Sequence, residues 1–285
     1  MTALATTADP FRRSPWPRVV AIALVLYVVY ACAQLEVSWE RVLVGLENAQ
    51  KFFSRLFPPN FSRWELLVKG LTESLEIAVL ASTLGIVLAL PVGLCAARNL
   101  MPAWATWPAR FIIVAARSLH PVIVAILFVK AVGFGALAGI LALTVASVGF
   151  IGKLFTEAIE EISLKQVEAV RATGAPFASV LAFGVVPQVF SRFIGFATYQ
   201  LDSNLRNSTM VGIVGAGGVG GTLFAAFQRF DYDYVCAILI SIIAVIMVGE
   251  LLATGVRAIF IGNATLADLF RRGGARQRER HRGED

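Results

Sequence analysis

The chain has 285 residues, of which 57% are hydrophobic and 15% charged, with a formal net charge of +6. So apolar a composition excludes an ordinary soluble domain and points to an all-α, polytopic membrane protein. The basic excess does not suggest nucleic acid as a partner, because the Lys and Arg residues border apolar runs and form no aromatic-interleaved groove.

Taken in chain order, residues 1–18 carry Arg12, Arg13 and Arg18 and read as a cytoplasmic tail. The run 19–35 is uncharged and longer than a signal-peptide core, so it reads as a retained first span. In the segment 36–65, Trp39, Val42, Leu43, Leu46 and Ala49 recur at helical spacing, which predicts an amphipathic helix on the outer surface. Phe57-Pro58-Pro59-Asn60 ends that helix, and Trp64 suits an interfacial belt. Residues 19–65 thus form a first span plus an external segment.

The second span is 77–97, with Pro91 predicting a kink. The third, about 109–131, contains Arg117 and His120 one helical turn apart, hence expected on one face. The fourth covers 135–152. The fifth, about 188–206, is interrupted by Arg192, Asp202 and Arg206. The sixth, 235–262, is apolar except for Glu250 and Arg257, and Glu250 is expected to hydrogen-bond inside the bundle. Each run approaches or exceeds the roughly 20 helical residues a hydrocarbon core requires. Residues 263–285 form a second basic tail, so the six helices leave both termini in the cytoplasm. Arg41, Lys51, Arg55 and Arg63 on the outer segment run against that orientation rule. Cys32, Cys95 and Cys236 have no paired or metal-ligand spacing and read as packing residues.

Between spans four and five, Ser163 and Gln166 have capping-box spacing, so a helix is expected from Leu164. Leu164, Val167 and Val170 give it an apolar stripe, Gly174 suits a left-handed C′ position, and Pro176 starts a second short helix towards Phe183. Glu157, Glu160 and Glu161 read as a solvated face. Further on, Gly215 to Gly220 satisfy Gly-x-Gly-x-x-Gly, but they follow an interrupted membrane helix instead of a strand. A dinucleotide fingerprint is therefore disfavoured. Gly212, Gly215, Gly217, Gly218 and Gly220 instead suggest a tight re-entrant turn. With no Gly-x-x-x-x-Gly-Lys-Ser/Thr run and two His in the chain, neither ATP binding by that route, nor a metal site, nor catalysis by an embedded enzyme is expected.

Glu168-Ala169, then Gly174, then Pro187 resemble the EAA loop of ABC-importer permeases, here at about 157–187, with departures at Val170, Gly184 and Val186. The run Asp202-Ser203-Asn204-Leu205-Arg206-Asn207-Ser208-Thr209, continuing from Val211 to Gly220, is similar to phosphonate-importer permeases, as are Val132 to Leu143 and Gly152 to Glu160. This resemblance covers about 66–262. It implies a permease core with a type I importer-like fold in the bacterial inner membrane. A second permease subunit, two cytoplasmic ATPases that bind ATP and Mg, and an external substrate-binding protein would be its partners besides the lipid bilayer. No cofactor is expected in the chain itself.

On this resemblance Glu168, Ala169, Gly174 and Pro187 couple to the ATPases. Arg117, Ser118, His120, Arg206, Asn207, Ser208 and Thr209 are pathway candidates, with Arg206 alternatively paired to Asp202. The implied cargo is a phosphonate or another small phosphorus oxyanion, with phosphite or hypophosphite as near alternatives. Methionine-importer permeases, which share part of the glycine run, are a further one. Arg117-Ser118-Leu119-His120-Pro121 replaces a usual Arg-x-Ile-Pro-Glu, removing a carboxylate and shifting the proline, which suits a smaller anion.

Overall fold

The computed structural model describes residues 16–34 and 38–255, which are mostly helix and include no strand. The tails, Arg257 and the end of the expected sixth span lie outside the described residues. Two compact units divide between Arg55 and Leu56. The first contains α1 (Trp16–Gln34) and most of α2 (Trp39–Leu56). No α1 residue is buried, as befits a helix apolar all round whose solvent is lipid. Helix α2 is amphipathic as its spacing predicts, with a Glu47–Lys51 pair at 2.7 Å on its polar side.

The second unit begins with α3 (Trp64–Ala96), which starts thirteen residues earlier than the expected span and runs through Pro91 without ending. Lys69, Glu73 and Glu76 break the hydropathy there, but the helical stripe Leu67, Gly70, Ser74 and Ile77 stays buried. The expected third span is not one helix. Helix α4 (Ala103–Ser118) and α5 (Pro121–Val132) are bent by 93° at their junction. Pro121 explains the break: it excludes α-helical backbone at the preceding residue and then serves as the first residue of α5.

Helix α6 (Ala136–Glu160) lies at the centre and α7 (Leu164–Ala172) follows it. Helix α8 (Phe177–Ile213) absorbs both the expected short second helix and the fifth span into one element. Its start contains a π-helical segment, Val180–Val185, ending two residues before Pro187. Proline lacks the N–H that an α-helix needs at this point, and the wider turn accommodates that loss. Short α9 (Val219–Gln228) and long α10 (Tyr232–Gly255) complete the unit. Five described helices are long and apolar enough to cross a membrane, six if α4 and α5 make one span.

Between helices in lipid, apolar burial supplies little drive, so close packing must hold the bundle. The α3–α6 seam shows how. A Cβ on Gly85 would lie 2.3 Å from the Ser147 Cβ, and one on Gly93 2.9 Å from Phe155 Cδ1. Ile77, Ala81, Ala142, Leu143 and Val211 form one core, and Phe155, Ile159, Val167, Val180 and Val185 another at the α7 end.

Candidate functional site

At one end of the bundle α7 forms a knob. Its first residue is Leu164 as expected, but the capping box is absent: the Ser163 side chain makes no cap hydrogen bond. Gln188 from α8 substitutes for it. Its Oε1 accepts from the Ser163 N–H at 3.0 Å, and its Nε2 donates to Ser163 O at 3.3 Å and to Gly184 O at 2.6 Å. One amide therefore ties the knob's entry to a carbonyl in the π-helical segment. Val167 is buried, and its Cα would lie 3.3 Å from a Cβ on Gly184, a tight approach that favours glycine there. Arg192 of α8 pairs with Glu161 at 2.5 Å. Gly174 has φ +75°, the left-handed turn that ends the knob. Glu168, Ala169, Gly174 and Pro187 are all exposed, leaving the outer side of α7 free of its own bundle.

At the other end, between α8 and α9, the chain turns on three positive-φ glycines, Gly215, Gly217 and Gly218. The Gly135 N–H donates to Gly215 O at 3.0 Å, and Ser74 Oγ accepts from the Val219 N–H at 2.8 Å. Gly212 and Gly220 are needed for closeness: their added Cβ atoms would meet Gly217 O at 2.5 Å and Thr209 O at 1.9 Å. Of the five glycines singled out from sequence, three form the turn and Gly212 and Gly220 let the flanking helix ends approach.

Mid-bundle lies a buried polar cluster that hydropathy did not reveal. Asn204 Nδ2 donates to Ser82 Oγ and Ser147 Oγ, and Gln200 Nε2 donates to Ser147 Oγ and Asn204 Oδ1, at 2.8–3.0 Å. It joins α3, α6 and α8. The signal was present as isolated polar residues at turn-spaced positions in apolar runs.

The pathway candidates do not gather in one place. Arg206 pairs with Asp202 at 2.7 Å, one turn back on α8. Ser208 is buried and donates to Leu205 O, while Asn207 and Thr209 are half-buried nearby. Arg117 and His120 do not share a helix face, because the α4–α5 bend separates them. His120 is the N-cap of α5, its Nδ1 accepting from the Val122 N–H at 3.3 Å, and the exposed Ser118 donates to Ala115 O. Glu250 lies on the exposed face of α10 and not inside the bundle, because the helix turns that position away from α3 and α8. The three glutamates expected on a solvated face are each paired: Glu160 with Arg110, Glu157 with Lys153 and Glu161 with Arg192.

Residues 89–262 match the family of binding-protein-dependent transport system inner membrane components. The chain belongs to that family. It is 38% identical over 234 residues to the phosphite transport system permease protein PtxC of Stutzerimonas stutzeri, covering 81% of this chain and 85% of that protein. It is 35% identical over 257 residues to the phosphate-import permease protein PhnE of Mycolicibacterium smegmatis, covering 88% of this chain. The chain spans about half of that longer relative, 48% of its length. Among solved structures, the inward-facing MetNI methionine ABC transporter is similar with a TM-score of 0.60 and 26% identity, over 70% of this chain and 99% of that one. As a family member, this all-α chain is a multi-pass inner-membrane transport component that works with a binding protein, and its helical bundle is the permease part.

Proposed function

We propose that this chain is the permease subunit of an ATP-driven importer for a small phosphorus oxyanion, a phosphonate or its near relatives phosphite and hypophosphite. The observation that carries the reading is the 38% identity to a phosphite permease along 85% of that protein's length. The presence of a free-standing knob fastened to a long helix supports the energy coupling. Two partner ATPases, holding ATP and Mg, grip the exposed side of α7 at Glu168 and Ala169 from the cytoplasm. Val167 against Gly184, the Gln188 bonds and the Glu161–Arg192 pair pass their movement to α8.

A second permease subunit completes the pathway, and an external binding protein delivers the anion. ATP binding favours the state in which the pathway opens outward, which is how a ligand with differential affinity drives a hinged transition. Arg117, Ser118, His120, Arg206, Asn207, Ser208 and Thr209 bear on the anion's route directly or by packing beside it. The glycine turn closes its outer end.

The test is ATP-dependent uptake by the reconstituted complex with its binding protein, competed with methylphosphonate, phosphite, hypophosphite, phosphate and methionine. Competition by one or more phosphorus anions and not by methionine is the expected result. Competition by methionine alone refutes the substrate class.

A further inference from the structure

A cleft of about 560 Å³ opens between α4 and α6 at the α7 end of the bundle, lined by Arg98, Arg110, Arg117, Lys153, Glu157 and Glu160 among others. Four cations face two carboxylates, so the cleft carries a surplus of two positive charges. The carboxylates are already engaged. Glu160 accepts from Arg110 Nη2 at 2.6 Å and from the Arg98 N–H at 2.9 Å, and Glu157 pairs with Lys153 at 2.6 Å. Arg117 forms no salt bridge among the described residues. Its stem crosses α6 where Gly149 has no side chain, since a Cβ there would lie 2.8 Å from Arg117 Cγ. Arg117 thus lines the cleft from the α4 side.

The cations are staged along the helices. Arg98 and Arg110 sit beside Glu160 at the end of α6, Lys153 two turns deeper, and Arg117 beside Gly149 one turn deeper again. We propose that this cleft binds a small tetrahedral oxyanion between Arg117 and Lys153, as its last station before release at the α7 end. A planar guanidinium fork and an ammonium together match the oxygens of such an anion. The Lys153–Glu157 pair is half-exposed and one turn apart on a single helix, a kind of pair that holds weakly, so an incoming anion can take Lys153 from Glu157. Product accumulating on the α7 side then occupies the cleft and slows further import. The inference rests on the importer reading above but names a site that the reading does not require.

The experiment uses the purified permease–ATPase complex in nanodiscs of zwitterionic lipid only, titrated by calorimetry with methylphosphonate and phosphite and without binding protein. Saturable binding is expected, weakened about ten-fold or more in the R117Q/K153Q double variant, as loss of two charge-assisted partners implies. Lys153→Arg should retain it and Glu157→Gln should tighten it. If the double variant does not assemble, Lys153→Gln alone, at a half-exposed position, should still weaken binding measurably. No binding by the unaltered complex, or equal affinity in the variants, overturns the proposal. So does occupancy of the cleft by phosphatidylglycerol alone in anionic nanodiscs, seen by native mass spectrometry, because the site would then hold a lipid headgroup. Uptake competition run in parallel separates the two readings. Anion binding with uptake of methionine only sinks the importer substrate, whereas phosphorus uptake without anion binding sinks the cleft.

Discussion

Gln188 does at the knob what a capping box does elsewhere, but across two elements. Replacing it with Leu removes the bonds to the Ser163 N–H and the Gly184 carbonyl, and a lost intramolecular hydrogen bond costs about 0.5–1.5 kcal/mol, less where water reaches it. The damage should appear in coupling more than in assembly. In a reconstituted complex carrying Gln188→Leu, basal ATP hydrolysis should persist while its stimulation by loaded binding protein falls several-fold. Equal stimulation would show that the amide is dispensable for transmission. Gly174 poses a different kind of constraint. Nothing lies within 4 Å of an added Cβ, so a side chain there meets strain and not a clash. The left-handed backbone costs an L-residue about 1–2 kcal/mol, with Asn tolerated best. Gly174→Val should therefore lower uptake at unchanged membrane abundance, and Gly174→Asn should recover most of it. Identical uptake in the Val and Asn variants would remove the conformational explanation.

At the scale of elements, α3, α6 and α8 are held by small residues and by one polar cluster. Asn204 makes hydrogen bonds to two serines and one from Gln200, and interhelical bonds of this kind average about 0.6 kcal/mol each. Asn204→Leu should accordingly destabilise the detergent-solubilised protein by about 2 kcal/mol, before any clash from the larger side chain. A lower thermal midpoint checks it, and an unchanged midpoint means that the cluster serves something other than stability.

Such elements were unevenly legible in the sequence. Apolar runs disclosed the existence of the spans, since hydropathy is a property of the local chain. They misplaced the start of α3, because Lys69, Glu73 and Glu76 lower hydropathy without breaking a helix. They also merged α4 with α5, although Pro121 was in plain sight. Its effect on the residue before it outweighed the periodicity that put Arg117 and His120 together. Gly174 was readable because a helix ending requires a positive φ locally. Gln188 and the α4–α6 cleft were not, because Gln188 lies 25 residues from Ser163 and Arg110 lies 50 from Glu160, and these pairs meet only when the helices pack.

For the whole molecule the decisive quantity is the length of α8 against the bilayer. Its 37 residues extend about 55 Å at 1.5 Å each. The hydrocarbon core is only about 30 Å thick. The surplus lies at the α7 end, where Gln188 and Arg192 fasten the knob, so the knob can stand clear of the headgroups on one side while the glycine turn lies towards the other. We propose that the knob lies in the cytoplasm and position 50 outside, an orientation that rests on the charge of the sequence. Arg12 and Arg13 before α1, Arg18 in its first turn and Arg271 to Arg282 at the other end favour the cytoplasm for the knob's side. Arg41, Lys51 and Arg55 on α2 pull the other way, but Glu47 neutralises Lys51 directly and the helix has an apolar face for the outer interface. Single cysteines at positions 50 and 168, in a background without Cys32, Cys95 and Cys236, decide between the two orientations. A membrane-impermeant maleimide applied to intact spheroplasts should label position 50 and spare position 168 until the membrane is opened. The reverse pattern would put the knob outside, where no ATPase can reach it, and the coupling role of α7 would fall with the topology.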